Sequence, residues 1–172
     1  MNGALGWQSF IAIGLLSAAV IDDLRSRKVH NSLVLVSFSI ALVSALVSAF
    51  LTPQTEVVTP FLSFLAAMAL GLPLYAFRVI GGGDYKLMMA VSPLLLPASL
   101  PQFFFASLAW GALLGLVLAV QEGQTGGSAA GSTFRNIGQI LMLHRPDPSS
   151  LRKIPFTVGI FFGYLSLLRG GG

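Results

Sequence analysis

Polar residues in this chain punctuate long apolar runs instead of alternating with them. Six stretches stand out, at residues 4–21, 32–51, 57–77, 87–100, 103–120 and 154–168. A helix needs about 20 mainly apolar residues to cross a hydrocarbon core of roughly 30 Å. The first run is interrupted by Gln8 and small polar residues, and the second holds no charge. The third contains Pro60 and Pro73, the fourth Pro93 and Pro97. The fifth opens on aromatics, and the sixth is short and rich in Phe. The two short runs must borrow flanking residues to span. The pattern predicts an all-α polytopic membrane protein with about six transmembrane helices. It is read as a single membrane domain over residues 1–172, with no soluble domain.

No Lys or Arg precedes the first run, so it lacks the basic start of a signal peptide. It reads as a retained span with its N-terminus outside. Arg25, Arg27 and Lys28 follow span one. Arg78 and Lys86 separate spans three and four, and Arg135, Arg145, Arg152 and Lys153 separate spans five and six. Six alternating spans place nine of the 10 basic residues on one side, with Arg169 opposite. The positive-inside rule makes that side cytoplasmic. The polar stretch 121–153 is then a cytoplasmic loop. Its Gly/Ser-rich part is flexible in composition. Phe134, Ile137, Ile140 and Leu141 follow at the spacing of a short interfacial helix, with a plain connecting loop as the alternative.

Composition narrows the chemistry. Of 172 residues, 55% are hydrophobic and 9% charged, against about 25% charged in soluble domains. The net charge of +4 comes from scattered residues, with no dense basic patch for nucleic acid. There is no Cys, which removes disulfides and thiol catalysis. His30 and His144 make a poor metal site and read as loop polar groups; neither metal nor cofactor is expected.

Six carboxylates remain. Glu56, Glu122 and Asp147 read as solvated loop charges. Asp22 and Asp23 close span one, and Asp84 opens span four at the same face. Acids at a membrane boundary are functional candidates because desolvating them costs energy. Helix capping is the plainer reading, and for Asp84 the two weigh evenly. Asp84 follows Gly81-Gly82-Gly83 and precedes Tyr85-Lys86. Glycines there weaken helix continuation and permit positive φ or close backbone approach, suiting a wet cavity and an extended substrate. A phosphate-binding loop is excluded, since its Gly-Lys-Ser/Thr ending is absent. Two carboxyls sharing one site hold one proton between them, which makes one a base and the other an acid. That is the equipment for water attack on a peptide carbonyl.

These residues resemble a known family. Gly81-Gly82-Gly83-Asp84 fits the Gly-x-Gly-Asp motif of membrane aspartic proteases. The segment Asp23-Leu24-Arg25-Ser26-Arg27-Lys28-Val29-His30-Asn31 is similar to the segment after the first core span of type IV prepilin peptidases. Gly83-Asp84-Tyr85-Lys86-Leu87 looks like their Gly-Asp-Val-Lys-Leu, and Lys153-Ile154-Pro155-Phe156 like the start of their last span. The resemblance covers about residues 8 to 168. It implies catalytic Asp23 and Asp84, with Gly81, Gly83 and Lys86 shaping the site. It also implies a multi-pass protein of the bacterial inner membrane that cuts basic leaders from prepilins at the cytoplasmic face. The short length matches the branch serving tight-adherence (Flp-type) pili, without the Cys-paired, methylation-linked domain of the larger branch. His30 stands where the family has Pro, and Tyr85 where it has Val. Counting to Asn31 aligns Asp23 with the catalytic Asp; Asp22 is then an extra acid about 100° around the helix. The same reading expects a β-branched residue at Gly83 to harm the site more than a methyl at Gly81. A small transporter or channel subunit is a second reading, and a non-catalytic membrane subunit of a secretion machine a third.

Overall fold

A computed structural model of the chain describes residues 4–26, 30–51, 56–124 and 156–170. These residues form α1 (Ala4–Ser26), α2 (Asn31–Leu51), α3 (Thr59–Ala76), α4 (Gly82–Val91), α5 (Leu100–Gln124) and α6 (Phe156–Gly170), with no strand among them. Among the described residues, four stretches are long and apolar enough to cross a membrane: Gly6–Ser26, Asn31–Leu51, Thr59–Ala76 and Pro97–Leu118. The expected interfacial helix over 134–141, with most of the 121–153 loop, lies outside the described residues.

The helices are apolar outward. On α2 the buried positions are Ser37, Ala41, Ser44, Ala45, Ser48 and Ala49, whereas Leu35, Val43 and Phe50 are exposed. A water-soluble helix does the reverse. Small residues inside and large apolar residues outside suit helices that pack closely while lipid covers the rest. Phe61, Leu65, Phe105 and Leu116 extend the same surface over α3 and α5. The fold is thus an all-α, polytopic membrane protein.

The fourth element departs from the expected 87–100 span. α4 begins earlier, at Gly82, and ends at Val91. Two 3-10 turns follow, Ser92–Leu94 and Pro97–Ser99, with Leu95 and Leu96 extended between them. Pro97 accounts for Leu96, because a residue before proline is pushed out of the helical region. A backbone broken inside a membrane protein must still find hydrogen-bond partners. Here the Ser63 hydroxyl on α3, fully buried, donates to the Leu95 carbonyl at 2.6 Å. Leu87, Met88 and Val91 of α4 are fully buried, so the shortest helix forms the centre of the bundle, against α2, α3 and α6.

Two joints set where α4 starts. α3 ends in a Schellman turn: the Arg78 N–H donates to Tyr75 O at 3.0 Å and the Val79 N–H to Leu74 O at 2.8 Å. The left-handed residue of that turn is Arg78, at φ 59°, a position that usually falls to glycine. Gly81 is extended (φ −71°, ψ 153°), and Gly82 and Gly83 are the first residues of α4. The triple glycine therefore leads into a helix instead of interrupting one.

α5 and α6 make the closest seam. A Cβ on Gly159 would lie 2.8 Å from the Gly111 nitrogen, and one on Gly163 would lie 2.6 Å from the Ser107 nitrogen. Small residues four apart on both helices, Ser107/Gly111 and Gly159/Gly163, let the backbones touch. Trp110 Nε1 donates to Ser166 Oγ at 2.8 Å across the same seam.

Candidate active site

Three helix ends meet where Arg25, Arg78 and Lys86 also lie. Asp23 is in the last turn of α1, Asp84 in the first turn of α4, and Thr157 in the first turn of α6. Both acids are half-buried.

The two neighbouring acids of α1 diverge. Asp22 turns to the start of α2, where the His30 N–H donates to its Oδ2 at 3.1 Å and the His30 Nδ1 sits 2.9 Å from the same oxygen. Proline at position 30 would have no N–H to give. The His30 departure from the family pattern thus has a structural use, as a clasp between α1 and α2. Asp23 faces elsewhere. Its Oδ2 accepts a 2.6 Å hydrogen bond from the Thr157 hydroxyl, and its charge acts on Asp84.

Asp84 lies ahead of the apolar stretch that begins at Leu87, outside the four long spans. Burial first, and the charge of Asp23 second, push its carboxyl up from 3.8 to about 7. Its own backbone N–H opposes them. The carboxyl thus meets its own helix start and Asp23 at once, and the rise shows that burial and Asp23 outweigh the backbone hydrogen bond. Near neutral pH, Asp84 can hold a proton beside a second carboxyl, which is the condition for an acid–base pair.

Gly81 and Gly82 both lie close to neighbouring side chains. A Cβ on Gly81 would lie 2.8 Å from Asp84 Oδ2; one on Gly82 would lie 3.3 Å from the Tyr75 ring. The sequence expectation gave Gly83 the larger role. In the fold Gly83 sits within the first helical turn, and Gly81 is the residue the Asp84 carboxyl folds over. Lys86 is a tether: its Nζ donates to Asn31 Oδ1 at 3.2 Å, tying α4 to the start of α2. Tyr85, bulkier than the Val usual in the family, turns into the bundle. Its ring lies on Gly71, stacks on Tyr75 at 5.5 Å, and its hydroxyl donates to Met68 O at 3.2 Å.

Sequence reasoning missed Thr157. It is fully buried at the start of an apolar helix, 134 positions from its partner. The available signal was that it is the first polar residue after the Pro155-Phe156 opening of the last span.

A family model described as the type IV leader peptidase family matches residues 10–116, a stretch that contains both Asp23 and Asp84. Comparison with curated proteins found no match, and neither did comparison with solved structures. With that match running over more than half of its length, on a bundle of apolar spanning helices, this chain belongs to the type IV leader peptidase family, membrane proteins that act as peptidases.

Proposed function

We propose that this protein is an aspartic leader peptidase of the bacterial inner membrane, with Asp23 and Asp84 as its catalytic pair. The observation that carries the reading is that two acids from separate helices interact at one end of the bundle, with the second lifted to about 7. Arg25, Arg78 and Lys86 lie at the same end, which supports a cytoplasmic site under the positive-inside rule.

In the proposed reaction Asp23 is the carboxylate and Asp84 carries the proton. Asp23 takes a proton from water as the oxygen attacks the scissile carbonyl, and Asp84 donates its proton to the carbonyl oxygen. Collapse of the tetrahedral intermediate breaks the C–N bond. The proton held by Asp23 passes to the leaving amine, and the gem-diol proton returns to Asp84. Gly81, extended and exposed ahead of Asp84, gives room for an extended peptide. Gly83 and Lys86 keep their proposed site-shaping parts, Lys86 through Asn31. The substrates are prepilin-like chains with a basic leader and an apolar helix behind it. Following the resemblance, they serve Flp-type pilus assembly or secretion.

The test is cleavage of a prepilin with a basic leader by the full-length protein in proteoliposomes. Asp23→Asn and Asp84→Asn should each lose about 100- to 10,000-fold in rate while inserting normally. Near-normal cleavage by either variant removes the pair.

A further inference from the structure

We propose that Thr157 is a positioning residue for the reaction: its hydroxyl fixes Asp23 in one orientation and holds it as the base of the pair. The inference rests on the assignment of Asp23 and Asp84 and adds what decides between them.

An ionised carboxylate can only accept, and a hydroxyl can donate one proton. Thr157 Oγ1 donates to Asp23 Oδ2 at 2.6 Å, short enough for a charge-assisted bond. Threonine on a helix ordinarily turns its hydroxyl to a carbonyl of the preceding turn; this one reaches across to α1 instead. The bond occupies one oxygen of Asp23 and sets the plane of the other, the geometry a base needs toward a water.

The hydroxyl is also held in place. Phe156, next to Thr157, presses its ring against Gly111, where any Cβ would overlap it. One and two turns on, Gly159 and Gly163 lock against the α5 backbone. Tyr164 of α6 pairs with Ser9 of α1, so α6 is tied to α1 at a second level. The backbone that carries Thr157 is thereby seated against α5 at the level of Asp23.

Among the described residues, the charged or titratable groups at this end of the bundle are Asp22, Arg25, His30, Arg78, Asp84 and Lys86. α4 brings Asp84, and Lys86 on the same helix is engaged with Asn31 of α2. On α1, Asp22 is taken by His30, and Arg25 lies half a turn on. Among the described residues α6 carries no acid, and its Arg169 is at the far end.

The experiment measures kcat and KM of leader cleavage by full-length variants in proteoliposomes at matched protein levels. Thr157→Val keeps the shape and removes the donor. Its kcat should fall roughly 10- to 100-fold with KM little changed, because the Asp23 carboxyl is no longer held at one angle to the attacking water. Thr157→Ser should restore the wild-type kcat. Thr157→Ala, which leaves space instead of filling it, should repeat the fall in kcat and serves if the Val variant does not accumulate. A merely structural threonine would lower protein yield and leave kcat per folded protein near wild type, for Val as for Ser; that result overturns the proposal. If Asp23→Asn and Asp84→Asn are dead while Thr157→Val keeps a wild-type kcat, this inference alone fails. If the two Asp variants cleave normally, the assignment beneath it fails as well.

Discussion

The carboxyl of Asp22 is clasped by His30, through the backbone N–H at 3.1 Å and the ring Nδ1 at 2.9 Å, while the next residue, Asp23, bonds to Thr157. Adjacent helical positions point about 100° apart, so one acid joins α1 to α2 and the other enters the bundle end. Asp22→Asn should keep most of its cleavage activity, because an amide oxygen still accepts from the His30 N–H. The loss of the charged contact is an exposed-pair effect, about 1 kcal/mol or less. Initial rates with a prepilin substrate check this. An inactive Asp22→Asn beside an active Asp23→Asn would move the catalytic assignment by one residue.

The rise of Asp84 to about 7 sets an alkaline limb. In the proposed mechanism Asp84 must be protonated, so cleavage should decline as pH rises through about 7. Stability follows the same proton. The folded chain binds it more tightly than the unfolded chain, whose carboxyl has the ordinary value of 3.8. The stabilisation is therefore full below about 4 and is lost as pH rises to about 7. Asp84→Asn should remove that part of the pH dependence of thermal unfolding in detergent. Rates that stay flat to about pH 9 would contradict the assignment of Asp84 as the acid.

Gly81→Ala separates folding from chemistry. The added methyl would sit 2.8 Å from Asp84 Oδ2, the free end of a side chain, and its next contact is the same residue's Cγ at 3.8 Å. The carboxyl gives way, not the backbone. Unfolding temperature should change little, and the cleavage rate should fall about 10- to 100-fold, the scale of a misplacement of about 1 Å. A wild-type rate for Gly81→Ala would mean that the Asp84 carboxyl works from another rotamer.

The membrane class was legible because hydropathy marks the runs, and the proposed acid pair could be named because Gly81-Gly82-Gly83-Asp84 and Asp23 carry a local pattern. The course of α4 was less legible. Glycine disfavours helix by about 1 kcal/mol per residue, which argues against starting one at Gly82. The burial of Leu87, Met88 and Val91 in the centre of the bundle outweighs that preference. Pro93 and Pro97 were visible as interruptions, but their rescue by Ser63 depends on a contact 32 residues away. Thr157 was hidden for the same reason, since no local pattern distinguishes a hydroxyl that will meet an acid 134 positions earlier.

The seam between α5 and α6 gives the last prediction. At Gly163 an added Cβ would lie 2.6 Å from the nitrogen and 2.7 Å from the Cα of Ser107, and backbone atoms cannot rotate aside. Gly163→Ala must therefore push α6 off α5, an overpacking cost of about 1–3 kcal/mol. The same substitution at Gly14 meets nothing within 4 Å. There alanine should be neutral or stabilising by up to about 1 kcal/mol, since it is the better helix former. The two variants differ from wild type by the same methyl group, so their difference isolates the seam from propensity. Thermal unfolding in detergent should rank Gly14→Ala at or above wild type and Gly163→Ala clearly below it. Cleavage should follow the same order, because α6 carries Thr157 and a shifted α6 draws the hydroxyl from Asp23. Equal unfolding temperatures for the two variants would show that the helices have slack where the structure puts backbone against backbone.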